Sequence, residues 1–251
     1  MARGIRLPKA GRPRGGSRID PETAKIIAAT IDKDNENRFS YLTHPQKRFE
    51  QNVFINCPFD ERYTPLFDAV VFAVHDVGFR PRCALEASNA LQVRLEKILQ
   101  IISECKYSIH DLSRTELDPD SGLPRFNMPL ELGLDVGCKR FGNNQQRSKV
   151  CLILDTQPHR YQTFISDISG QDIHPHYGEP SNAIRIVRDW LRPELDPRKV
   201  IIPGGKKIAK RYEEFRRALP ALCSRLKWDS KQLPFADFSY AVAMWIEANP
   251  L

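Results

Sequence analysis

No two of the six cysteines stand in a C-x-x-C pair, so zinc ribbons and thioredoxin-type redox motifs find no support. Cys57, Cys83, Cys105, Cys138, Cys151 and Cys223 are scattered, most of them inside apolar patterns where a buried reduced thiol is the plain expectation. That usage fits a reducing cytoplasm. Long hydrophobic runs are missing as well. Residues 69–74 and 151–154 are far too short to cross a bilayer, so no membrane partner is expected. No apolar stretch follows the N-terminus, which speaks against a secretory signal. The G-x-x-x-x-G-K-[ST] spacing is absent, leaving Pro203-Gly204-Gly205-Lys206-Lys207 as a weak phosphate signal at a helix start. Asp172, His174 and His176 match no zinc spacing, so no metal and no resident cofactor are expected. No internal repeat is visible.

What the chain does have is a real core. Hydrophobic residues make up 41% of 251, enough for one large domain or one domain with an added helical piece. The formal charge of +7 looks like a nucleic-acid signal. Arg3, Arg6, Lys9, Arg12, Arg14 and Arg18, however, all precede the first acid, Asp20, so the rest of the chain is nearly neutral. Residues 1–19, rich in Gly, Pro and Arg, read as a disordered basic arm. The arm is a solubilising tail or a contact for phosphates, and nucleic acid is expected nowhere else.

Residues 20–50 form a lead-in with helical character over 21–32, where Asp20 is a plausible N-cap before Pro21. The regular pattern begins after residue 50. The run 53–57 reads as a buried strand ending in the turn Pro58-Phe59-Asp60. A helix over 63–77 stops at Gly78. A weaker strand over 79–85, a helix over 91–105 and a strand over 107–112 follow. A polar loop leads to a helix from about 127 to 140, with Asn127 as its cap. The run 150–155 is a fourth, almost purely apolar strand. Strands alternating with helices in this way imply an α/β fold: an open, mostly parallel sheet with helices on both faces, over residues 51–156. Segments 161–168, 182–191, 206–226 and 235–248 read as helices. Residues 157–251 are therefore expected to be a helical C-terminal extension packed on the sheet domain.

Ligands of open parallel sheets sit outside the carboxyl ends of the strands, and the polar clusters of this sequence fall there. Glu131 lies in the first turns of the helix after the third strand, among Met128, Leu130, Leu132 and Leu134. A carboxylate in such surroundings can act as nucleophile, base or electrostatic stabiliser; otherwise it stabilises the helix N-terminus. Gly133 and Gly137 are expected to let that helix approach the sheet closely. Asp111, directly after the third strand, either contacts a ligand or caps its loop. Ser113, Arg114 and Arg125 are in reach of a phosphate. Asn56 and Asp60 flank the first turn, and Asn127 opens the helix that carries Glu131. His110 reads as a satisfied core histidine, and Cys57 has no basic neighbour that would make it reactive.

The strand ending Asp111-Leu112-Ser113, a loop, then Glu131-Leu132-Gly133 on a helix resembles the nucleoside 2-deoxyribosyltransferase superfamily. It is similar also to the bacterial TIR-like (Toll/interleukin-1 receptor-like) domains. The resemblance covers about residues 50–155 and implies a flavodoxin/TIR-like fold. It implies that Glu131 attacks, or stabilises charge at, the anomeric carbon of an N-glycosidic bond, with Asp111 helping to bind sugar or base. It implies NAD or a nucleotide as substrate rather than cofactor, self-association, and a setting in anti-phage defence. The chemistry agrees with the residues: an oxocarbenium-like centre needs a nearby carboxylate and no metal. Two other classes stay open, a non-catalytic sensor of a nucleotide signal and an interaction module that uses the basic arm.

Overall fold

The computed structural model describes residues 20–22, 25, 49–86, 92–117, 122–195 and 202–250. The basic arm and nearly all of the 21–32 segment lie outside the described residues, although Asp20 Oδ1 does accept the Glu22 N–H at 3.0 Å. Five parallel strands form one sheet: β1 Asn52–Asn56, β2 Arg80–Arg82, β3 Tyr107–Asp111, β4 Val150–Asp155 and β5 Ile173–Pro175, in the order β2-β1-β3-β4-β5. The helices are α1 Thr64–Asp76, α2 Arg94–Ser103, α3 Asn127–Phe141, α4 Asn144–Arg147, α5 Pro180–Leu191, α6 Gly205–Leu226 and α7 Phe235–Ala248.

The alternation along β1 explains the layering. Val53 and Ile55 point to the face covered by α1, α5, α6 and α7, and share a core with Phe72, Val187, Phe215 and Trp245. Phe54 points the other way and packs with Ile98, Ile101 and Ile102 of α2. Both faces are dry, which is why β1 reads as an unbroken apolar run. α1 is buried almost all round because it lies between the sheet and the C-terminal helices. Its Phe72 stacks on Phe215 with centroids 5.5 Å apart and meets Trp245 at 5.9 Å, pairs worth about 0.5–1.5 kcal/mol each beyond burial. Gly78 ends the α1 segment at φ +94°, where a side chain would be strained.

Four expectations are revised. Segment 157–251 is not wholly helical. β5 pairs in parallel with β4, Asp155 opposite Pro175, so the sheet continues past residue 156. Segment 161–168 forms two short 3-10 turns, Arg160–Thr163 and Ser166–Ile168, too short to bury a face of their own. Asn127 does not cap α3: it is the first helical residue, and the capping position, Phe126, makes no side-chain hydrogen bond. Gly133 and Gly137 do not serve a close approach, because a Cβ at either would meet nothing within 4 Å. The helix turns its Met128, Glu131, Leu132 and Asp135 inward instead.

The glycines of Pro203-Gly204-Gly205 have a packing reason. A Cβ on Gly205 would come within 3.0 Å of the Arg185 backbone, so this glycine lets α6 start against α5.

Candidate site at the carboxyl edge of the sheet

The chain leaves β1 toward β2 on one side and, later, toward β3 on the other. The carboxyl ends of β1 and β3 therefore frame the crevice where a doubly wound sheet takes its ligands. Asn56 pairs with His110 in the β1–β3 register, and α3 returns over the end of β3 carrying Glu131.

Glu131 is 6% exposed and accepts no hydrogen bond from any described residue. Burial pushes its carboxyl up to about 7, with the Arg94 guanidinium opposing. Desolvation of a charged group with no compensating donor is the cause of such a shift, and a carboxyl poised there holds or releases a proton at neutral pH. Glu131, Asp111 and Asp60 all raise the Cys57 thiol after burial, so they surround the end of β1. That thiol stays protonated and is no nucleophile.

Asp60 organises the rim. Its Oδ1 accepts the backbone N–H groups of Arg62 and Tyr63, both at 3.1 Å. Arg125 donates to Oδ2 at 2.9 Å, and Arg114 approaches Oδ1 at 3.4 Å. The arginines that looked like phosphate ligands are thus drawn to the β1 turn by one carboxylate. Both remain partly exposed, and Arg114 Nε also lies 3.7 Å from the Glu116 carboxylate. Asn127 is exposed beside them.

Asp111, Asn56 and Ser113 lie deeper, each 1% exposed. Asp111 is saturated by its own chain. The Tyr63 hydroxyl donates to Oδ2 at 2.5 Å, the Ser113 N–H to Oδ1 at 2.8 Å, and His176 Nε2 lies 3.1 Å from Oδ2. His176 Nδ1 accepts the Gly178 N–H, which assigns the ring proton to the Nε2 facing Asp111. Burial alone would raise the Asp111 carboxyl, but His176, Ser113 and Tyr63 outweigh it and hold the group below its ordinary value. Asp111 therefore ties the β1–α1 turn, the β3 loop and the segment after β5 together. Asn56 Nδ2 donates to Met128 O and reaches His110 Nδ1, both at 2.9 Å, fixing the start of α3. Glu86, four residues beyond the end of β2, is likewise turned onto Arg82 at 2.5 Å.

Three groups were missed in the sequence. Asp155, at the end of β4, is fully buried and holds Arg160, which also donates to Leu112 O at 2.6 Å. Asp135, one turn beyond Glu131, accepts from Ser108 at 2.5 Å and His110 at 3.2 Å, with Lys149 Nζ 3.0 Å away. Lys149 is itself 1% exposed and donates to the Ile102 and Cys105 carbonyls. These contacts bring burial's upward push on Asp135 down to about 2. The signal in the sequence was the i, i+4 spacing of Glu131 and Asp135 on an otherwise apolar face.

His110, Asp135 and Cys151 place one potential metal donor each within 4.8 Å of one another. Lys149 already supplies the cation that Asp135 faces, and burial pushes the Cys151 thiol up to about 12. This chemistry favours an internal ion pair over a metal. Asp172, His174 and His176 do not converge, since His176 turns inward to Asp111 while His174 is exposed. Among the described residues, no helix is long and apolar enough to cross a membrane. No family model, curated protein or solved structure matches this chain.

Proposed function

We propose that the chain hydrolyses the N-glycosidic bond of NAD or a related nucleotide, with Glu131 as the catalytic carboxylate. The observation that supports this reading is the buried, unbonded Glu131 carboxyl at the switch-point crevice, poised near neutral pH. In the proposed step the bond between the anomeric carbon and the base nitrogen breaks, and its electron pair leaves with the base. Ionised Glu131 stabilises the oxocarbenium-like sugar. Water then adds to the anomeric carbon, and Glu131 accepts the proton released. Arg114 and Arg125 face the phosphates from the rim, where Asp60 keeps them in place. Asp111 is reassigned from binding sugar to positioning the loops around the site.

The reading carries a cytoplasmic setting, supported by six free cysteines, four of them buried. It also carries self-association, supported by the exposed Val93, Leu95, Leu99, Leu130 and Val136 around α2 and α3. Incubation of the purified chain with NAD and with purine nucleosides, across a range of protein concentrations, tests the activity. Release of nicotinamide or free base that disappears in Glu131→Gln is the expected result. Tight binding of an intact nucleotide with no turnover at any concentration would favour the sensor class instead.

A further inference from the structure

A cleft of about 470 Å³ opens on the other side of Asp60, between the β1 turn, α1 and the C-terminal helices α6 and α7. Its volume falls in the usual range for small-molecule sites. One wall is aromatic. Phe59 meets Phe67 edge-on at 5.5 Å, Phe67 meets Phe235 at 5.8 Å, and Phe238 and Leu219 extend this apolar wall. The lining is also charged: Asp60 and Lys231 contribute to it, and Asp68 and Arg216 form a pair within it. Arg216 Nη1 donates to Asp68 Oδ2 at 2.5 Å. Asp68 is 7% exposed, yet its Oδ1 accepts no hydrogen bond from a described residue. The remaining N–H groups of Arg216, on a half-exposed side chain, likewise donate to none. The cleft thus presents an unused acceptor beside unused donors at the edge of an aromatic slot.

We propose that this cleft binds a planar aromatic heterocycle whose edge carries a hydrogen-bond donor next to an acceptor. The ring lies against Phe67, Phe235 and Phe238, its donor reaches Asp68 Oδ1, and its acceptor takes an Arg216 N–H. Guanine and a pyridine carboxamide both have this edge. A plain aromatic ring fills the slot without meeting the pair, and rejecting it is how such a site gains selectivity. The cleft is argued from its own walls and does not depend on the chemistry at Glu131.

Calorimetric or NMR titration of the full chain tests this, with guanosine, nicotinamide, and unsubstituted pyridine as probes. Guanosine, nicotinamide or both are expected to bind at least tenfold more tightly than pyridine, and which of them does so identifies the source of the heterocycle. Asp68→Asn and Arg216→Met are each expected to weaken that binding at least tenfold while leaving the circular-dichroism spectrum unchanged. Arg216 is exposed enough that its variant gives the answer even if Asp68→Asn misfolds. Glu131→Gln is expected to leave the affinity unchanged, so loss of turnover there and loss of binding here are separate results. Failure of every probe to bind at millimolar concentration overturns the proposal. So does equal binding of pyridine, or binding that Arg216→Met does not alter, or binding abolished by Glu131→Gln.

Discussion

At the scale of the residue, Glu131 is a cost that folding does not explain. A carboxyl with an ordinary value of 4.5 is pushed to about 7 by burial, so the folded state binds the proton more tightly than the unfolded chain does. Its stabilising contribution is fully present below about pH 4.5 and is lost as pH rises through about 7. Glu131→Gln removes the charge and keeps the volume. The variant is therefore expected to become more stable than the parent as pH rises through that window, by up to about 3 kcal/mol at pH 8. Urea denaturation at pH 5 and pH 8 checks it; a variant less stable than the parent at pH 8 would mean that Glu131 is a helix-terminal stabiliser. If the proposed hydrolysis occurs, the parent's rate is expected to fall below pH 7, where Glu131 is protonated. The variant's turnover is expected to drop at least about a hundredfold.

Asp111 has the opposite sign. Its carboxyl is held below the ordinary value by His176, Ser113 and Tyr63 against the upward push of burial. Its contribution to stability is present above the unfolded value and is lost as pH falls through the folded one. Asp111→Asn keeps the shape but faces the Tyr63 hydroxyl and His176 Nε2 with a poorer acceptor. A loss of about 1–3 kcal/mol of stability is expected, with nucleotide affinity in the folded fraction changed little. Thermal melts beside binding titrations separate the two, and weakened binding at unchanged stability would return Asp111 to the ligand site. This contrast also marks what the sequence could show. A carboxylate after an apolar strand is legible, but its partner His176 lies sixty-five residues downstream. No local pattern ties the two together.

At the scale of the element, α3 carries Glu131 to the crevice because Asp135 pins it to the sheet. Ser108 and His110 reach Asp135 from β3, and Lys149 reaches it from the residue before β4. Lys149→Met removes the cation and leaves a buried carboxylate, which is expected to cost about 3–5 kcal/mol. Lys149→Met combined with Asp135→Asn removes both charges and is expected to recover much of that loss. A double-mutant cycle by denaturant titration measures the coupling; additive losses would show that the pair does not interact. Elements with strong periodicity were legible: β1, α1, β3, β4, α6 and α7 fall within a few residues of where apolar spacing puts them. β5 was not. Ile173-His174-Pro175 is a three-residue edge strand with one apolar alternation and a proline, which tolerates an edge but hides it from pattern reading. The buried Lys149 was hidden for a different reason. A lysine before an apolar strand reads as a solvated end, and only the Ile102 and Cys105 carbonyls make burial tolerable.

At the scale of the whole molecule, the question is whether the C-terminal helices are an appendage or part of one folding unit. Arg211 of α6 clasps Asp76 of α1 through both oxygens, with Nη2 at 2.8 Å and Nε at 3.1 Å, and lies 5.3 Å from the Trp245 ring of α7. Arg211 is 4% and Asp76 5% exposed, so neither charge has water to fall back on. Such a pair adds little net stability against an apolar alternative, but breaking it strands a buried charge. Asp76→Ala is expected to cost about 3–5 kcal/mol. The sequence offers a probe for how that loss is distributed, because all three tryptophans, Trp190, Trp228 and Trp245, lie in the last third of the chain. Fluorescence therefore reports the C-terminal helices, while far-ultraviolet circular dichroism reports every helix. The aromatic cluster of Phe72, Phe215 and Trp245 joins the helices to the sheet in one core, so the two transitions are expected to coincide in the parent. In Asp76→Ala they are expected to move together to lower denaturant. A fluorescence transition that runs ahead of the dichroism change would show that α6 and α7 detach first. In that case the α1–α6 contact would be a hinge between two units rather than the middle of a single core.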